Sequence, residues 1–305
     1  MNKKILLTGA SGFIGQQLYD INPNQFRCVV RRTDSLDYID SYQVSRINSN
    51  TDWADAFDGV DSIIHLAGLA HSHTFQNDDY REVNLLGTLR LAQQASLFGV
   101  KRFVFVSSIG VNGTSTLDKP FSITSKANPH NAYAKSKYDA EEGLKKLAQD
   151  SGMELAIVRP TLVYGANAPG NFGMLTKLIT KLPILPFGLA DNRRDFIAVQ
   201  NLADLLVTCA THPDAAGHIF LASDGKAVSI KDFTNAIAEG LNKKVIQLPI
   251  PVPLMHFVSK WLGKSIMAEQ LLGNLEVDSS STKKVLGWTP PFTMEQAMQF
   301  LKEST

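Results

Sequence analysis

Two side chains that can share a proton lie one helical turn apart in this sequence. Tyr133 and Lys137 open a helix-like stretch in which Ala140, Leu144 and Leu147 continue the same face. A phenol has an ordinary pKa of about 10, and an ammonium group beside it favours the phenolate. The pair is therefore predicted to be catalytic, with Tyr133 giving or taking a proton at a reacting oxygen.

A serine pair ends the apolar run Phe103 to Val106. Its second member, Ser108, is expected at the carboxyl end of a strand, where ligands of open parallel sheets bind. The Ser108 hydroxyl can orient the reacting oxygen, so we predict it to be catalytic and to contact substrate. A serine pair or a Tyr-x-x-x-Lys spacing alone is more often structural, but their joint occurrence in this order favours an active site.

A glycine-rich turn near the N-terminus is suited to phosphate binding. The run Lys4 to Leu7 leads into Thr8 to Gly15, after which Leu18 and Ile21 continue a helical spacing. Strand, glycine turn and helix together present free backbone N–H groups to a pyrophosphate. Glycine turns also occur for packing reasons alone. The predicted cofactor-binding residues in this turn are Gly9, Ser11, Gly12, Phe13, Ile14 and Gly15.

A bound dinucleotide would complete the chemistry of the tyrosine and lysine. Its nicotinamide carries the hydride, and the oxidised ring adds to the effect of the Lys137 ammonium on Tyr133. Tyr133 and Lys137 are thus predicted to contact the cofactor as well. After the second apolar run come Arg31 and Arg32, where NAD-preferring sites carry an acid. Two cations favour NADP(H) over NAD, although a solvated loop is the alternative interpretation.

The composition excludes several classes of protein. Thirty basic and 29 acidic side chains leave a formal net charge of +1, so no nucleic-acid-binding surface is predicted. Cys28 and Cys209 form no disulfide or zinc motif, which favours a reducing cytoplasm. His71 and His73 follow the third predicted strand without a third ligand, so no metal is predicted and both are expected to be solvated.

No membrane segment is predicted. The apolar run after Lys4 is too short for the apolar region of a signal peptide, so none is expected, and no run of eighteen apolar residues occurs. The stretch from Leu254 to Leu262 is amphipathic and contains Trp261, which is compatible with a membrane-surface helix. Because it has no basic face, we expect it to pack over the substrate pocket instead.

The apolar runs alternate with helix-like stretches, a rhythm typical of a doubly wound parallel sheet of the Rossmann type. We predict an α/β fold with a dinucleotide-binding domain over 1–165, to which 195–223 returns. A smaller, interleaved substrate lobe is expected over 166–305, with helices from Ile230 and around Met294 to Leu301. The predicted strands are Ile5 to Leu7, Phe26 to Val30, Ser62 to Leu66, Phe103 to Val106, Leu155 to Val158 and His218 to Ala222.

At this point the chain resembles the extended short-chain dehydrogenase/reductase family over essentially its whole length. The residues that carry the resemblance are Thr8 to Gly15, Asp61 to Gly68, Asn84 to Thr88, Ser107-Ser108, Tyr133 to Lys137, Arg159-Pro160, Tyr164-Gly165 and Arg194 to Phe196. The family includes UDP-galactose 4-epimerases, dTDP-glucose dehydratases and nucleotide-sugar 4-ketoreductases. Its spacing of the catalytic hydroxyl from the tyrosine selects Ser108 over Ser107.

The same resemblance implies further binding residues. Leu66, Ala67 and Gly68 would line the nicotinamide side of the cofactor, and Asn84 would bond nearby. Arg194 matches a diphosphate-binding arginine and Asn171 a nucleotide-contacting asparagine. The alternatives are a buried amide or helix cap for Asn84 and surface-loop roles for the other two.

The resemblance also narrows the reaction. The dehydratases carry an Asp-Glu pair where this chain has Ile109-Gly110, so dehydration is disfavoured. Ala70 stands where many galactose epimerases have a lysine. Two enzymatic interpretations stay open, a 4-epimerase and a 4-ketoreductase acting by hydride transfer at C4 of a UDP-sugar. The chain most resembles a bacterial branch of the family that includes both epimerase-like proteins and reductases.

An alternative of another class is a non-catalytic dinucleotide sensor on the same fold. A sensor has no need for Ser108, Tyr133 or Lys137, all of which are present. Helix-like stretches over 83–98 and 134–148 carry apolar residues on more than one face, and related enzymes dimerise through these helices. A homodimer is therefore expected.

Overall fold

A seven-stranded parallel sheet organises the chain in the computed structural model, which describes residues 4–31, 37–70 and 74–304. The strand order is β10-β6-β5-β4-β1-β2-β3, and every neighbouring pair is parallel. The predicted doubly wound α/β fold is confirmed. The strands are β1 Lys4–Thr8, β2 Phe26–Arg31, β3 Ser41–Val44, β4 Val60–His65, β5 Arg102–Val106, β6 Glu154–Pro160, β7 Leu162–Tyr164, β8 Ile184–Leu185, β9 Phe196–Ala198, β10 Ile219–Ala222 and β11 Ile246–Gln247.

Helices cover both faces of this sheet, as its nearly continuous apolar strands require. A π-helical segment, Arg81–Gly87, joins α2 to α3. The helices are α1 Phe13–Ile21, α2 Asn77–Tyr80, α3 Thr88–Leu97, α4 Ala132–Ser151, α5 Gly170–Lys181, α6 Val199–Thr211, α7 Ile230–Gly240, α8 Val252–Trp261, α9 Ser265–Leu272, α10 Ser280–Leu286 and α11 Met294–Gln299.

The two faces of the sheet carry separate apolar cores. Leu7, Val104 and Val158 pack with α1 and α6 on one face, while Phe103 and Phe105 pack with α3 and α4 on the other. The alternation of side chains along each strand produces this division. The glycine turn follows β1 and Ser108 follows β5, so both lie at the carboxyl edge of the sheet.

The second lobe interleaves with the first. Strand β10 pairs with β6, so the chain returns to the large sheet after passing through the lobe. The lobe has its own core of Phe172, Phe233 and other apolar side chains, and Phe13 from the first turn of α1 packs against it. Tyr164 donates a 2.8 Å hydrogen bond to Asp224 at the junction. These contacts join the lobes at the glycine turn.

Helix α8 departs from the sequence prediction. Val252 and Met255 pack partly buried against the lobe core, but the other apolar side chains of the helix face solvent. Trp261 is 82% exposed and Phe257 70%. The expectation that the apolar stripe of Leu254 to Leu262 packs over the pocket is therefore wrong.

Several short strands were not predicted from the sequence. β3 and the two-stranded pairs β7–β9 and β8–β11 contain only two to four residues each. Such runs are too short to show a period of two. Among the described residues, no helix combines the length and apolar character that crossing a bilayer requires.

Candidate active site

Helix α4 carries Tyr133 and Lys137, the predicted catalytic pair. Its N-cap is Asn131, whose Oδ1 accepts a 2.8 Å hydrogen bond from the Ala134 N–H. This cap places Tyr133 in the first turn and Lys137 in the second, on one face. The helix ends at Gly152, whose φ of +74° is the left-handed conformation that closes helices.

Ser108 lies within hydrogen-bonding reach of the tyrosine. It follows β5 and caps a short 3₁₀ turn, where its Oγ accepts a 3.1 Å hydrogen bond from the Gly110 N–H. The Tyr133 hydroxyl is near enough to the Ser108 side chain for the serine to lower the tyrosine pKa. Two hydroxyls are thus adjacent at the carboxyl edge of the sheet, both partly exposed.

Ser107 has a different environment. Its Oγ donates a 2.5 Å hydrogen bond to Glu141 Oε1, and the Arg159 guanidinium bonds both oxygens of the same carboxylate. Arg159 also donates to Asn112 Oδ1 at 3.0 Å. Glu141 is fully buried and Arg159 only 4% exposed. This network ties α4 to the ends of β5 and β6, so Ser107 positions the helix, whereas Ser108 is outside the network and partly exposed.

Lys137 is buried beside the strand ends. Its Nζ donates a 3.0 Å hydrogen bond to the Val106 carbonyl and lies 4.8 Å from the centre of the Phe105 ring. Burial lowers the pKa of Lys137 to about 8, although the charge of Glu141 opposes that fall. The ammonium is therefore held in place by the backbone before any ligand binds.

The tyrosine does not become acidic in the protein alone. Burial raises the pKa of Tyr133 to about 12, and the hydrogen bond from Ser108 opposes the rise. The expectation that the ammonium and an oxidised nicotinamide together favour the phenolate concerns the cofactor-bound enzyme and stays a prediction.

The glycine turn has the geometry of a phosphate cradle. Gly9 has a φ of +75°, and a Cβ on it would lie 2.9 Å from the Ala67 nitrogen. A Cβ on Gly15 would lie 2.2 Å from the Gly9 oxygen. Gly12 is the N-cap of α1 and supplies no side-chain cap, so the first N–H groups of α1 lack a side-chain acceptor. Ser11, Phe13 and Ile14 complete this turn and are partly exposed.

A buried histidine holds the loop after β4 against this turn. His65 Nδ1 lies 2.7 Å from Thr8 Oγ1, and its Nε2 lies 2.9 Å from Thr88 Oγ1. Because Thr88 donates its proton to the Asn84 carbonyl, His65 Nε2 carries hydrogen and Nδ1 accepts. Thr8 Oγ1 then accepts from the Ala67 N–H at 3.2 Å. The sequence analysis did not predict this series of hydrogen bonds, because no local pattern indicates a buried histidine.

Asn84 and Gly68 meet at the lysine. Asn84 is fully buried in the π-helical segment, where it bonds the backbone N–H and C=O of Leu69 and the Ser136 hydroxyl. A Cβ on Gly68 would lie 3.0 Å from Asn84 Oδ1 and 3.4 Å from Lys137 Nζ. Asn84 therefore joins the loop after β4 to α4. Leu66, at the start of that loop, packs partly buried against the core.

The two predicted substrate residues lie in the second lobe, around α9. Arg194 is 8% exposed and donates a 2.9 Å hydrogen bond to the Gly273 carbonyl. Burial lowers its pKa to about 10. Asn171, in the first turn of α5, donates to Gln270 Oε1 at 3.1 Å. Both side chains thus contact α9 or the residue that follows it.

The structure describes only some of the other positions that the sequence analysis singled out. Arg31 is exposed at the carboxyl end of β2, whereas Arg32, His71 and His73 lie outside the described residues. No group of three or more histidine, cysteine or acidic side chains is arranged for metal binding in the described ranges 4–31, 37–70 and 74–304. Cys28 and Cys209 are buried free thiols.

Fold and site together define a dinucleotide-binding enzyme of the extended short-chain dehydrogenase/reductase type. The family model described as "NAD dependent epimerase/dehydratase family" matches residues 5–222. The chain belongs to this family.

Named relatives cover almost the whole chain. A UDP-glucose 4-epimerase of Vibrio cholerae is 40% identical over 98% of this chain and 94% of its own. An N-acetyl-alpha-D-glucosaminyl-diphospho-ditrans,octacis-undecaprenol 4-epimerase of Escherichia coli O157:H7 is 25% identical over 98% and 94%. Among solved structures, a UDP-glucose 4-epimerase of Thermotoga maritima with UDP-glucose has a TM-score of 0.77 and 19% identity, and covers 99% of this chain and 98% of its own.

Proposed function

We propose that the protein is a UDP-sugar 4-epimerase that removes and returns a hydride at C4, with Tyr133 as the acid and base. The observation that carries the proposal is the placement of Tyr133 and the buried Lys137 one turn apart on α4, with Lys137 bonded to the Val106 carbonyl at the strand end that Ser108 follows. The 40% identity to the Vibrio cholerae enzyme supports an epimerase over the other activities.

Each of the three side chains has a distinct part. Ser108 donates to the Tyr133 hydroxyl oxygen or to the sugar oxygen and so aligns the two. Tyr133 takes the proton of the sugar hydroxyl and later gives it back. Lys137, fixed by the Val106 carbonyl, stabilises negative charge on the tyrosine oxygen. A bound nicotinamide dinucleotide supplies hydride acceptance and return.

The residues present fit a dinucleotide. Glycine is required at positions 9 and 15 by close backbone contacts, which leave the first N–H groups of α1 facing outward for a pyrophosphate. Gly68 leaves space beside Lys137 that a Cβ would fill. We propose that Leu66, Ala67 and Gly68 line the nicotinamide side, and that Arg31 and Arg32 favour NADP(H).

Arg194 and Asn171 are proposed to bind the substrate's diphosphate and nucleotide. Arg194 is buried and cationic, and its guanidinium donates a hydrogen bond to the Gly273 carbonyl beside α9. Asn171 lies at the start of α5, where N–H groups favour anions. Asn84 is proposed to act on the cofactor through the loop after β4 that it holds.

The test is turnover of UDP-hexoses and of a UDP-4-keto-6-deoxy-hexosamine, followed by product identity and by absorbance of the reduced nicotinamide. Interconversion of UDP-hexoses without net loss of the reduced cofactor supports the epimerase. Stoichiometric consumption with the keto sugar identifies a 4-ketoreductase instead. Tyr133→Phe should abolish either turnover while cofactor binding survives. Unchanged turnover in this variant overturns the mechanism, and no turnover of either substrate by the wild type favours a dinucleotide sensor.

A polyprenyl-diphosphate sugar is a second candidate substrate. The Escherichia coli relative is named for such a compound. The observation that favours it here is the exposed apolar face of α8, because α8 packs against α9, which contacts Asn171. Both substrates carry a diphosphate for Arg194. Comparing turnover of a UDP-sugar with that of its polyprenyl-diphosphate counterpart decides between them.

A homodimer is also proposed, on the resemblance to enzymes that pair through the helices after β4 and β5. Within the chain, Leu91 and Ala95 of α3 are buried. Helix α4 packs closely against α3, since a Cβ on Gly143 of α4 would lie 2.7 Å from the Leu89 side chain of α3. Much of the predicted apolar surface is therefore used inside one chain. Sedimentation at micromolar concentration tests the dimer, and a monomer contradicts it.

A further inference from the structure

The outer face of α8 and its C-cap is an apolar stripe turned toward solvent. It consists of Leu254, Phe257, Val258, Trp261 and Leu262, whose spacing of i, i+3, i+4, i+7 and i+8 defines one helix face. Their exposed fractions run from 44% for Val258 to 82% for Trp261. A continuous apolar helix face in solvent marks an interaction site rather than a packing element.

Apolar exposure continues through the preceding strands. Ile184 and Ile246 are register partners in the parallel pair of β8 and β11, so their side chains stand on the same side. They are 46% and 60% exposed. Leu248, also exposed, leads from β11 through Pro251 into α8. The exposed apolar residues are thus contiguous along the chain from β11 to the end of α8.

The sequence that forms this face is rich in lysine. Between Leu241 and Ala268 the sequence has no aspartate or glutamate and has four lysines, more than the formal net charge of +1 of the whole protein. Lys243 and Lys244 precede β11 and are exposed. Lys260 and Lys264 are exposed at the carboxyl end of α8. The sequence pattern alone showed no basic face because three of these lysines lie outside the helix.

A second copy of the chain does not suit this surface. In a twofold symmetric pair the same patch faces itself, so lysines would meet lysines. The stretch offers no carboxylate to neutralise them. An anionic partner is required, with an apolar layer behind its charges.

We propose that the outer face of α8 docks the enzyme onto a lipid bilayer with anionic headgroups. The five apolar side chains of this face enter the boundary between headgroups and acyl chains, and the lysines at either end contact the headgroups. Trp261, at the end of the helix beside Lys260, is suited to the interface because its ring is amphipathic. The docking is peripheral and does not depend on which sugar substrate the site takes.

The docking face is one helix away from the proposed substrate residues. Helix α8 packs against α9, which holds Asn171 through Gln270 and is followed by Gly273, the partner of Arg194. Docking therefore brings the diphosphate-binding side of the second lobe toward the membrane surface.

The experiment is co-sedimentation of the full-length protein with vesicles of phosphatidylcholine alone or with about one third phosphatidylglycerol. Binding to the anionic vesicles that weakens at high salt is expected, together with a blue shift of tryptophan fluorescence. Trp53 is fully buried and Trp288 only 7% exposed, so the shift reports Trp261. A Trp261→Phe variant should bind and lose the shift.

Variants distinguish docking through this face from nonspecific adsorption of the protein to vesicles. Phe257→Ser with Trp261→Ser should weaken binding to anionic vesicles about tenfold or more, and Lys260→Glu with Lys264→Glu should remove the preference for anionic lipid. Leu117→Ser is the matched control, because Leu117 is 89% exposed and lies outside this surface. It should bind as the wild type does.

Four results overturn the proposal. Three of them concern vesicles: no binding to anionic vesicles, equal binding to neutral and anionic vesicles, and binding that survives Phe257→Ser with Trp261→Ser. A concentration-dependent dimer that this double variant abolishes also overturns it and assigns the face to a second copy. Turnover of a soluble UDP-sugar by the double variant should be unchanged, so failure of docking and failure of the proposed catalysis are distinguishable.

Discussion

Glu141 and Arg159 form a two-point ion pair beneath the candidate active site, with Nε–Oε1 at 2.9 Å and Nη2–Oε2 at 2.5 Å. Glu141 is on α4, four residues after Lys137, and Arg159 is on β6. The pair therefore fixes the helix that carries the tyrosine and lysine relative to the sheet that carries Ser108.

Glu141→Gln should destabilise the protein by about 3–5 kcal/mol, because it leaves the Arg159 charge buried without its counterion. Urea unfolding measures the change. Glu142→Gln is the control on the same helix, since Glu142 is about half exposed and pairs with Lys145 on the surface. It should change stability by less than about 1 kcal/mol. Equal losses in the two variants would contradict the structural role of the buried pair.

The two adjacent serines should fail in different ways. Ser108→Ala should lower kcat roughly 100-fold with little change in stability, because it removes a donor at the reacting oxygen. Ser107→Ala should lower stability by about 1–3 kcal/mol and leave kcat within severalfold, because Glu141 loses a buried donor. Steady-state kinetics and thermal unfolding of both variants provide the comparison. A reversal of the two phenotypes would assign the catalytic hydroxyl to Ser107.

His65 should make the fold sensitive to acid. Burial lowers the pKa of His65 to about 3 from its ordinary value of 6.5, and the charge of Lys137 adds to the effect. Below pH 6.5 the unfolded chain takes up a proton that the folded protein refuses, so this contribution is full above pH 6.5 and is lost as pH falls toward 3. The loss is at most about 5 kcal/mol.

His65→Asn should reduce that dependence. The free energy of unfolding, measured between neutral pH and about pH 4.5, should fall less steeply in the variant than in the wild type, although the variant is less stable at pH 7. Parallel slopes would show that the buried imidazole is not the group responsible.

Arg31→Ala tests the proposed cofactor preference. Arg31 is exposed at the end of β2, where a 2′-phosphate of NADP would lie. Loss of one charge-assisted contact should raise the KM for NADP about tenfold and leave that for NAD within about twofold. Lys101→Ala serves as control, since Lys101 is exposed at the opposite, amino-terminal end of β5. Equal effects on both cofactors in Arg31→Ala would remove the basis for an NADP preference.

The site could be predicted from sequence where its residues are close together along the chain. The glycine turn and the spacing of Tyr133 and Lys137 depend on a single strand, turn or helix, so their patterns are visible locally. Ser108 could be placed because it directly follows an apolar run.

The contacts that support the site could not be predicted from the sequence, because they join segments that are far apart along the chain. His65 bonds Thr8 and Thr88, which are 57 and 23 residues away. The raised pKa of Tyr133 depends on burial, which no local pattern of residue types fixes. The apolar stripe of α8 gave the correct helix but not its orientation, because a spacing of three and four residues does not say whether the face meets core or solvent.

Phe13 packs across the boundary between the two lobes, so neither lobe has a complete core without the other. It belongs to the first turn of α1, yet its ring packs in the core of the second lobe, and a Cβ on Gly165 would lie 3.4 Å from it. A fragment cut after residue 165 would lose both that core and strand β10. Chimeras with related enzymes should therefore exchange Phe13, Gly165 and their surroundings together, because recombination between them would mismatch the joint beside the glycine turn.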